Sequence, residues 1–137
     1  QAFCRDWVIR PQTAGNLGRR MQQAFHYELR RSSSVVLVGS DIVAIKAEDI
    51  TQAFTLLEEG VKTVIGPASD GGYWLLGRSN NDVDIFNGIN WGTSLVFSET
   101  RKRLDRSGSS YCGIQQRRDM DNSRDLDWSF LNRLQLR

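Results

Sequence analysis

The chain is 137 residues long, and much that would single out a function at a glance is scarce or missing from it. There are only two cysteines, Cys4 and Cys112, far apart in the sequence. That excludes a cysteine-based metal motif and a disulfide framework, and it reads as two reduced thiols in a cytoplasmic protein. No apolar run approaches the roughly 20 residues of a membrane-spanning helix, and no signal peptide is visible, so a membrane partner is not expected. The longest apolar stretch, Val35 to Val38, has the size of a buried strand. Charge of one sign is not in excess, since 18 basic residues face 16 acidic ones for a net charge of +2. The basic clusters at Arg19-Arg20, Arg30-Arg31, Arg101-Lys102-Arg103 and Arg117-Arg118 therefore read as solvated helix faces and helix ends. A nucleic-acid partner is not called for, while an anionic small-molecule substrate stays open. The one histidine, His26, sits between Phe25 and Tyr27 with no partner at ligand spacing and reads as structural or exposed. No internal repeat and no low-complexity linker divides the chain, whose length suits one domain better than two.

What is present is an alternation of helix and strand patterns. Trp7-Val8-Ile9 is a short strand candidate ended by Pro11 and Gly15. Asn16 can cap a helix to about Arg31, with Leu17, Met21, Ala24, Phe25 and Leu29 at helical spacing. Val35-Val36-Leu37-Val38 is the continuous β-branched run of a strand buried on both faces. A second helix shows Ala47, Ile50, Ala53, Phe54 and Leu57 on its inner face and Gly60 beyond its end. Val61 to Ile65 reads as the next strand, stopped by Gly66-Pro67, and Tyr73-Trp74-Leu75-Leu76 follows after a short loop. A parallel crossover needs about a dozen residues or more, so a direct pairing of these two runs has to be antiparallel. Asn80 to Ile89 is polar and turn-rich; Ser94 can cap a third helix with Val96, Phe97, Thr100 and Leu104 inward; Tyr111 to Gln115 is a weak strand; Ser123 can cap a last helix. This order predicts a three-layer α/β/α domain with a mixed, mostly parallel sheet. Ligands bind such sheets outside the carboxyl ends of the strands.

Two segments fall at such ends. Asp41, after Gly39-Ser40, is placed either to hold a hard cation, as carboxylates hold Mg²⁺ beside substrate phosphates, or simply to end a strand. The glycines of Gly66-Pro67-Ala68-Ser69-Asp70-Gly71-Gly72-Tyr73 allow positive φ and bring backbone N–H groups close to an anion, and the same residues suit an ordinary hairpin turn. Asp70 can orient a substrate hydroxyl, a base or a water. Trp91 with Gly92 and Thr93, ahead of a helix N-terminus, offers either a stacking surface or a core tryptophan. In Asp119-Met120-Asp121 an extended backbone sets both carboxylates on one face, and the residues alone favour an acidic stretch leading into a helix.

Five blocks in order carry a resemblance: Gly15-Asn16-Leu17-Gly18-Arg19-Arg20-Met21; Val38-Gly39-Ser40-Asp41; Val64 through Gly77 with its Gly66-Pro67-Ala68-Ser69-Asp70-Gly71-Gly72-Tyr73 core; Ile89-Asn90-Trp91-Gly92-Thr93-Ser94; and Asp119-Met120-Asp121. Together they resemble the bacterial glycosyltransferase-A-like family of radical-SAM/selenodomain-associated transferases, related to small nucleotidyltransferases. The resemblance implies a nucleotide-diphospho-sugar transferase-like fold and a nucleotide-dependent glycosyl or nucleotidyl transfer assisted by Mg²⁺ or Mn²⁺. It assigns Asp41 and Asp70 catalytic roles and Asp41 with Asp121 the metal. Ser40, Gly71, Gly72, Tyr73, Trp91 and Thr93 fall to the nucleotide or nucleotide-sugar substrate.

The sequence departs from the family in two places. After Asp41 it reads Ile42-Val43-Ala44-Ile45, where the family shows a small residue, proline and glycine. Gln1 to Arg10 do not match the opening strand and basic loop of the family, so residues 1–137 read as a single partial domain lacking the opening β-α-β unit. Such a domain is expected to leave a sheet edge open and to form a homodimer, with Trp7-Val8-Ile9 as a replacement strand. The alternative to an enzyme is a non-catalytic remnant that serves as a small-molecule-binding or dimeric assembly module.

Overall fold

The computed structural model describes Val8, residues 10–39 and residues 45–116. Ser40, Asp41, Asp121, Cys4 and the proposed last helix lie outside the described residues, as do Trp7 and Ile9. Val8 belongs to no strand and is 72% exposed.

Helix α1 spans Leu17–Glu28 and starts where the Asn16 side chain accepts the Arg19 N–H at 2.9 Å, as a capping asparagine should. Its apolar stripe is narrower than the spacing implies. Phe25 is fully buried, Met21 and Leu29 pack beside it, and Leu17 is 56% exposed. Strand β1 is Val35–Val38 but is not buried on both faces as its composition implies, since it lies at the end of the strand order with Val38 45% exposed; helix α2 is Ala47–Glu58. Asp49 in the first turn of α2 accepts the Lys46 N–H at 3.0 Å, and Gly60 just past the helix adopts φ +107°. Strands β2, Thr63–Pro67, and β3, Tyr73–Arg78, form the expected antiparallel hairpin. Helix α3 is Val96–Ser107, and β4 is Tyr111–Gly113.

The four strands order as β1-β3-β2-β4. Strand β3 runs antiparallel to both β1 and β2, whereas β2 and β4 are parallel. Three of the four strands thus share one direction. Because the reversed β3 lies inside the sheet, two of the three pairings are nevertheless antiparallel.

Alternate residues feed two apolar clusters. Leu37, Ile65 and Leu76, in register across three strands, join Phe25 of α1 and Leu104 of α3. Val36 and Val64, in register through Gly77, join Ala53 and Leu57 of α2. Each large side chain fully buried here contributes about 1.5–3 kcal/mol.

Strand β2 runs two residues further than its sequence reads. Pro67 pairs with Tyr73 across a bulge, one of the few places a sheet accepts proline. Trp74 is the extra residue: Gly66 faces Leu75, Pro67 faces Tyr73, and both Trp74 and Leu75 enter the α2 cluster. The bulge therefore turns Tyr73 to the α1 and α3 side.

Candidate functional site

Strands β1 and β2 run parallel, so their carboxyl ends and the start of β3 meet at one rim of the sheet. An open groove of about 1150 Å³ lies at that rim and against α1. Leu37, Val38 and Gly39 bring the end of β1 to it, Ala68, Asp70 and Gly72 bring the β2–β3 turn, and Trp91, Thr93 and Ser94 bring the loop before α3. The structure thus gathers Asp70, Gly72, Tyr73, Trp91 and Thr93 on one groove. Asp41, two positions beyond the groove-lining Gly39, and Asp121 fall outside the described residues.

The turn is built from its own hydrogen bonds. The Gly71 N–H donates to the Ala68 carbonyl at 3.2 Å, and the Ala68 N–H donates to the Gly72 carbonyl at 3.0 Å. Asp70 closes the loop by accepting the Gly72 N–H on Oδ1 at 2.9 Å. Only Gly71 of the glycine pair needs its freedom. It sits at φ +91°, and a Cβ there would lie 2.1 Å from the Ser94 carbonyl oxygen. The Gly71 carbonyl accepts the Phe97 N–H at 2.8 Å, satisfying one of the unpaired donors in the first turn of α3. Hairpin and groove wall are the same object.

That use of Gly71 explains a difference at α3. Ser94 does not cap the helix; the cap position is Leu95, whose side chain makes no capping hydrogen bond. The Thr93 hydroxyl donates to the Asn90 carbonyl at 2.6 Å and accepts the Leu95 N–H at 3.3 Å. Asn90 donates both its backbone and side-chain N–H to Glu99, at 3.0 and 2.7 Å. Those bonds, the backbone one first, hold the Glu99 carboxyl below the usual glutamate range.

Trp91 is both a core residue and a groove residue. Its indole N–H donates to the Phe86 carbonyl at 3.1 Å. Its ring stacks on Phe86 at 6.4 Å and meets Tyr73 edge-on at 6.3 Å. Gly18 of α1 lies flat on it, where a Cβ would come within 2.2 Å of the indole nitrogen. Tyr73 shows its ring to the groove and buries its hydroxyl, which burial pushes above the usual tyrosine range. Tyr73 is therefore not an acid or base near neutral pH.

Arg10 pairs with Glu28 at 3.3 Å and lies over the Tyr27 ring at 4.3 Å. Arg20 is held by Gln12 at 3.5 Å. Both arginines reach the groove from the α1 side, where Glu28 and, at the turn, Asp70 also line it, so the two basic side chains face two acidic ones and Arg20 is the basic group without an ion-pair partner among the described residues. Among the described residues no three His, Cys, Asp or Glu gather closely enough to hold a metal ion. His26 is exposed, as its sequence setting implies. Also among the described residues, no helix is long and apolar enough to cross a membrane. Sequence reasoning missed two contributors. Phe86 sits in a stretch that reads as polar loop, and Arg78 lies at the end of a strand, yet both are buried behind Trp91.

The family model described as "uncharacterized protein conserved in bacteria (DUF2064)" matches residues 1–93. The chain belongs to that family. A crystal structure from Desulfovibrio desulfuricans G20, described as a "putative nucleotide-diphospho-sugar transferase", is similar at 33% identity with a TM-score of 0.74. The likeness covers 81% of this chain and 49% of that one, so this chain spans about half the length of that protein. No curated protein matches the chain.

Proposed function

We propose that this member of the family binds a nucleotide or nucleotide-sugar in the groove and takes part in a metal-assisted glycosyl or nucleotidyl transfer. The single observation that carries the reading is the meeting of Asp70 and Gly72 of the turn with Trp91 at the carboxyl ends of β1 and β2, in a groove that Arg10 and Arg20 border from the α1 side. The 33% identity to a structure described as a nucleotide-diphospho-sugar transferase supports it. On this reading the chain is part of a three-layer α/β/α domain in a cytoplasmic protein.

The roles follow from the chemistry of each group. Arg10 and Arg20 attract the phosphates, and Trp91 offers a face to a base or sugar. Asp41 and Asp121, with Ser40 beside the first, would hold Mg²⁺ or Mn²⁺, for which carboxylate oxygens are the fitting donors. A cation held there would supply charge neutralisation of the leaving group, a nucleoside diphosphate in glycosyl transfer or pyrophosphate in nucleotidyl transfer. Asp70 accepts a hydrogen bond from the attacking hydroxyl of the acceptor and aligns it, while Gly72 allows the substrate to approach the backbone and Gly71 seats the turn against the start of α3. Thr93 keeps the Trp91 loop in shape. The glycyl turn, Trp91 and Thr93 serve binding more than chemistry.

One observation favours a second reading, a binding or assembly module without catalysis. Val8, Leu17, Tyr27 and Val38, four of the five large hydrophobics exposed among the described residues, border the same groove beside the edge strand β1. A thermal-shift screen of nucleotides and nucleotide-sugars with Mg²⁺ or Mn²⁺ separates the two. A metal-dependent shift that Asp41→Ala abolishes is expected for the transferase. No shift with any nucleotide leaves only the assembly reading.

A further inference from the structure

Arg78 is buried to 2% exposure at the end of β3, on the same face as Leu76. No carboxylate oxygen among the described residues lies within the 4.0 Å of an ion pair with it. One guanidinium nitrogen donates to the Val83 carbonyl at 2.8 Å, the guanidinium carbon lies 5.8 Å from the centre of the Phe86 ring, and Nε is buried with no partner among the described residues. Taking a guanidinium out of water is costly, and the attraction of Asp82 and Asp84, neither within ion-pair distance, offsets that cost only in part. A methionine or leucine here would avoid that cost and would fill the same space, but would leave the Val83 carbonyl without this donor. The arginine is better explained by what it holds.

It holds the loop that carries Trp91. Val83, tied to the guanidinium, precedes a turn in which Asp84 accepts the N–H groups of Phe86 and Asn87 at 2.9 and 3.0 Å. Arg103 of α3 donates to the Asp84 carbonyl at 3.2 Å and fixes the turn from the other side. The turn sends Phe86 inward, where it is 3% exposed and stacks on Phe25 at 6.0 Å and on Trp91 at 6.4 Å. The Phe86 carbonyl takes the Trp91 indole N–H. The tilt of the indole at the groove is therefore referred, through one ring and one carbonyl, to a cation in the core.

We propose that Arg78 is a positioning residue: through Val83 and Phe86 it fixes the plane in which Trp91 faces the groove. That Trp91 meets a ligand rests on the transferase reading; that Arg78 orients Trp91 does not.

The test is fluorine NMR of the whole chain labelled with 5-fluorotryptophan. Its four tryptophans give four resonances. Single Trp→Phe substitutions at Trp7, Trp91 and Trp128 identify three of them and leave Trp74, which is 1% exposed, as an internal reference for the core. In Arg78→Met the Trp91 resonance is expected to shift or split while that of Trp74 stays in place. In Arg78→Lys, which keeps a cation and a donor for Val83, the Trp91 resonance is expected to return most of the way to its original position. Should Arg78→Met not fold, Arg78→Gln, too short to cover Phe86, serves for the same comparison. A folded variant that leaves Trp91 unmoved overturns the proposal, as does one in which Trp74 and Trp91 move together. The spectra need no ligand. If no nucleotide binds the unaltered chain, the transferase reading falls and the effect of Arg78 on Trp91 stands.

Discussion

Replacing Gly71 by alanine isolates the structural claim about the turn. The residue sits at φ +91°, where an L side chain is strained by about 1–3 kcal/mol. A Cβ there would also lie 2.1 Å from the Ser94 carbonyl oxygen, which is backbone and cannot swing aside. Relieving that contact means moving the turn away from α3 and lengthening the 2.8 Å bond from the Phe97 N–H to the Gly71 carbonyl. Losing that bond costs about another 1 kcal/mol. The sum is about 3 kcal/mol, which for a chain of this size lowers the melting midpoint by roughly 10 °C. Gly92 provides the control. It has φ +81° and nothing within 4 Å of an added Cβ, so Gly92→Ala carries the same backbone strain of about 1–3 kcal/mol without the contact or the lost hydrogen bond. Urea unfolding of the two variants, with unchanged slopes, measures the difference. If Gly71→Ala loses no more stability than Gly92→Ala, the turn is not seated against the start of α3 and the reasoning fails.

Gly18→Ala would push a methyl into the Trp91 indole, so its intrinsic fluorescence should change and quencher access to Trp91 should rise, with α1 still helical by circular dichroism. For Glu99 the folded pKa is depressed by hydrogen bonds from Asn90, so its stabilisation is complete above the unfolded value, about 4.3, and fades as pH falls through the folded one. The melting gap between the unaltered chain and Glu99→Gln should accordingly be widest near neutral pH and close in acid. Size-exclusion with light scattering at micromolar concentration should show a homodimer, as the edge strand β1 and its exposed apolar rim imply; a clean monomer counts against that pairing.

The parts legible in the sequence are those where one local rule acts alone. Asn16 caps α1, Val35 to Val38 form a strand, Gly60 ends α2, and the short Asp70-Gly71-Gly72 link forces an antiparallel hairpin. What was not legible depends on contacts distant in sequence. The bulge at Trp74 lets β2 run on to Pro67 and turns Tyr73 to the other face, a result of pairing rather than of either strand's composition. Ile85 and Phe86 are buried in a segment that reads as polar, because an Asp84 turn and a buried arginine fold it inward. Ser94 looks like a helix cap, but the Gly71 carbonyl had already met the helix start from across the groove. The site shows the same division. The turn and Trp91 stand out as motifs and Gly18 falls in a resemblance block, while Phe86 and Arg78, which hold Trp91 from behind, carry no signal in their own surroundings.

The central claim is that this groove receives a nucleotide. It is tested most directly by titrating the 5-fluorotryptophan-labelled chain with nucleoside diphosphates in the presence of Mg²⁺ while following the Trp91 resonance. The expected result is a saturable, Mg²⁺-dependent shift with one nucleobase preferred, lost in Asp41→Ala. If none of the nucleoside diphosphates moves Trp91 at concentrations up to about 1 mM, the upper end of ordinary substrate affinities, the groove is not a nucleotide site.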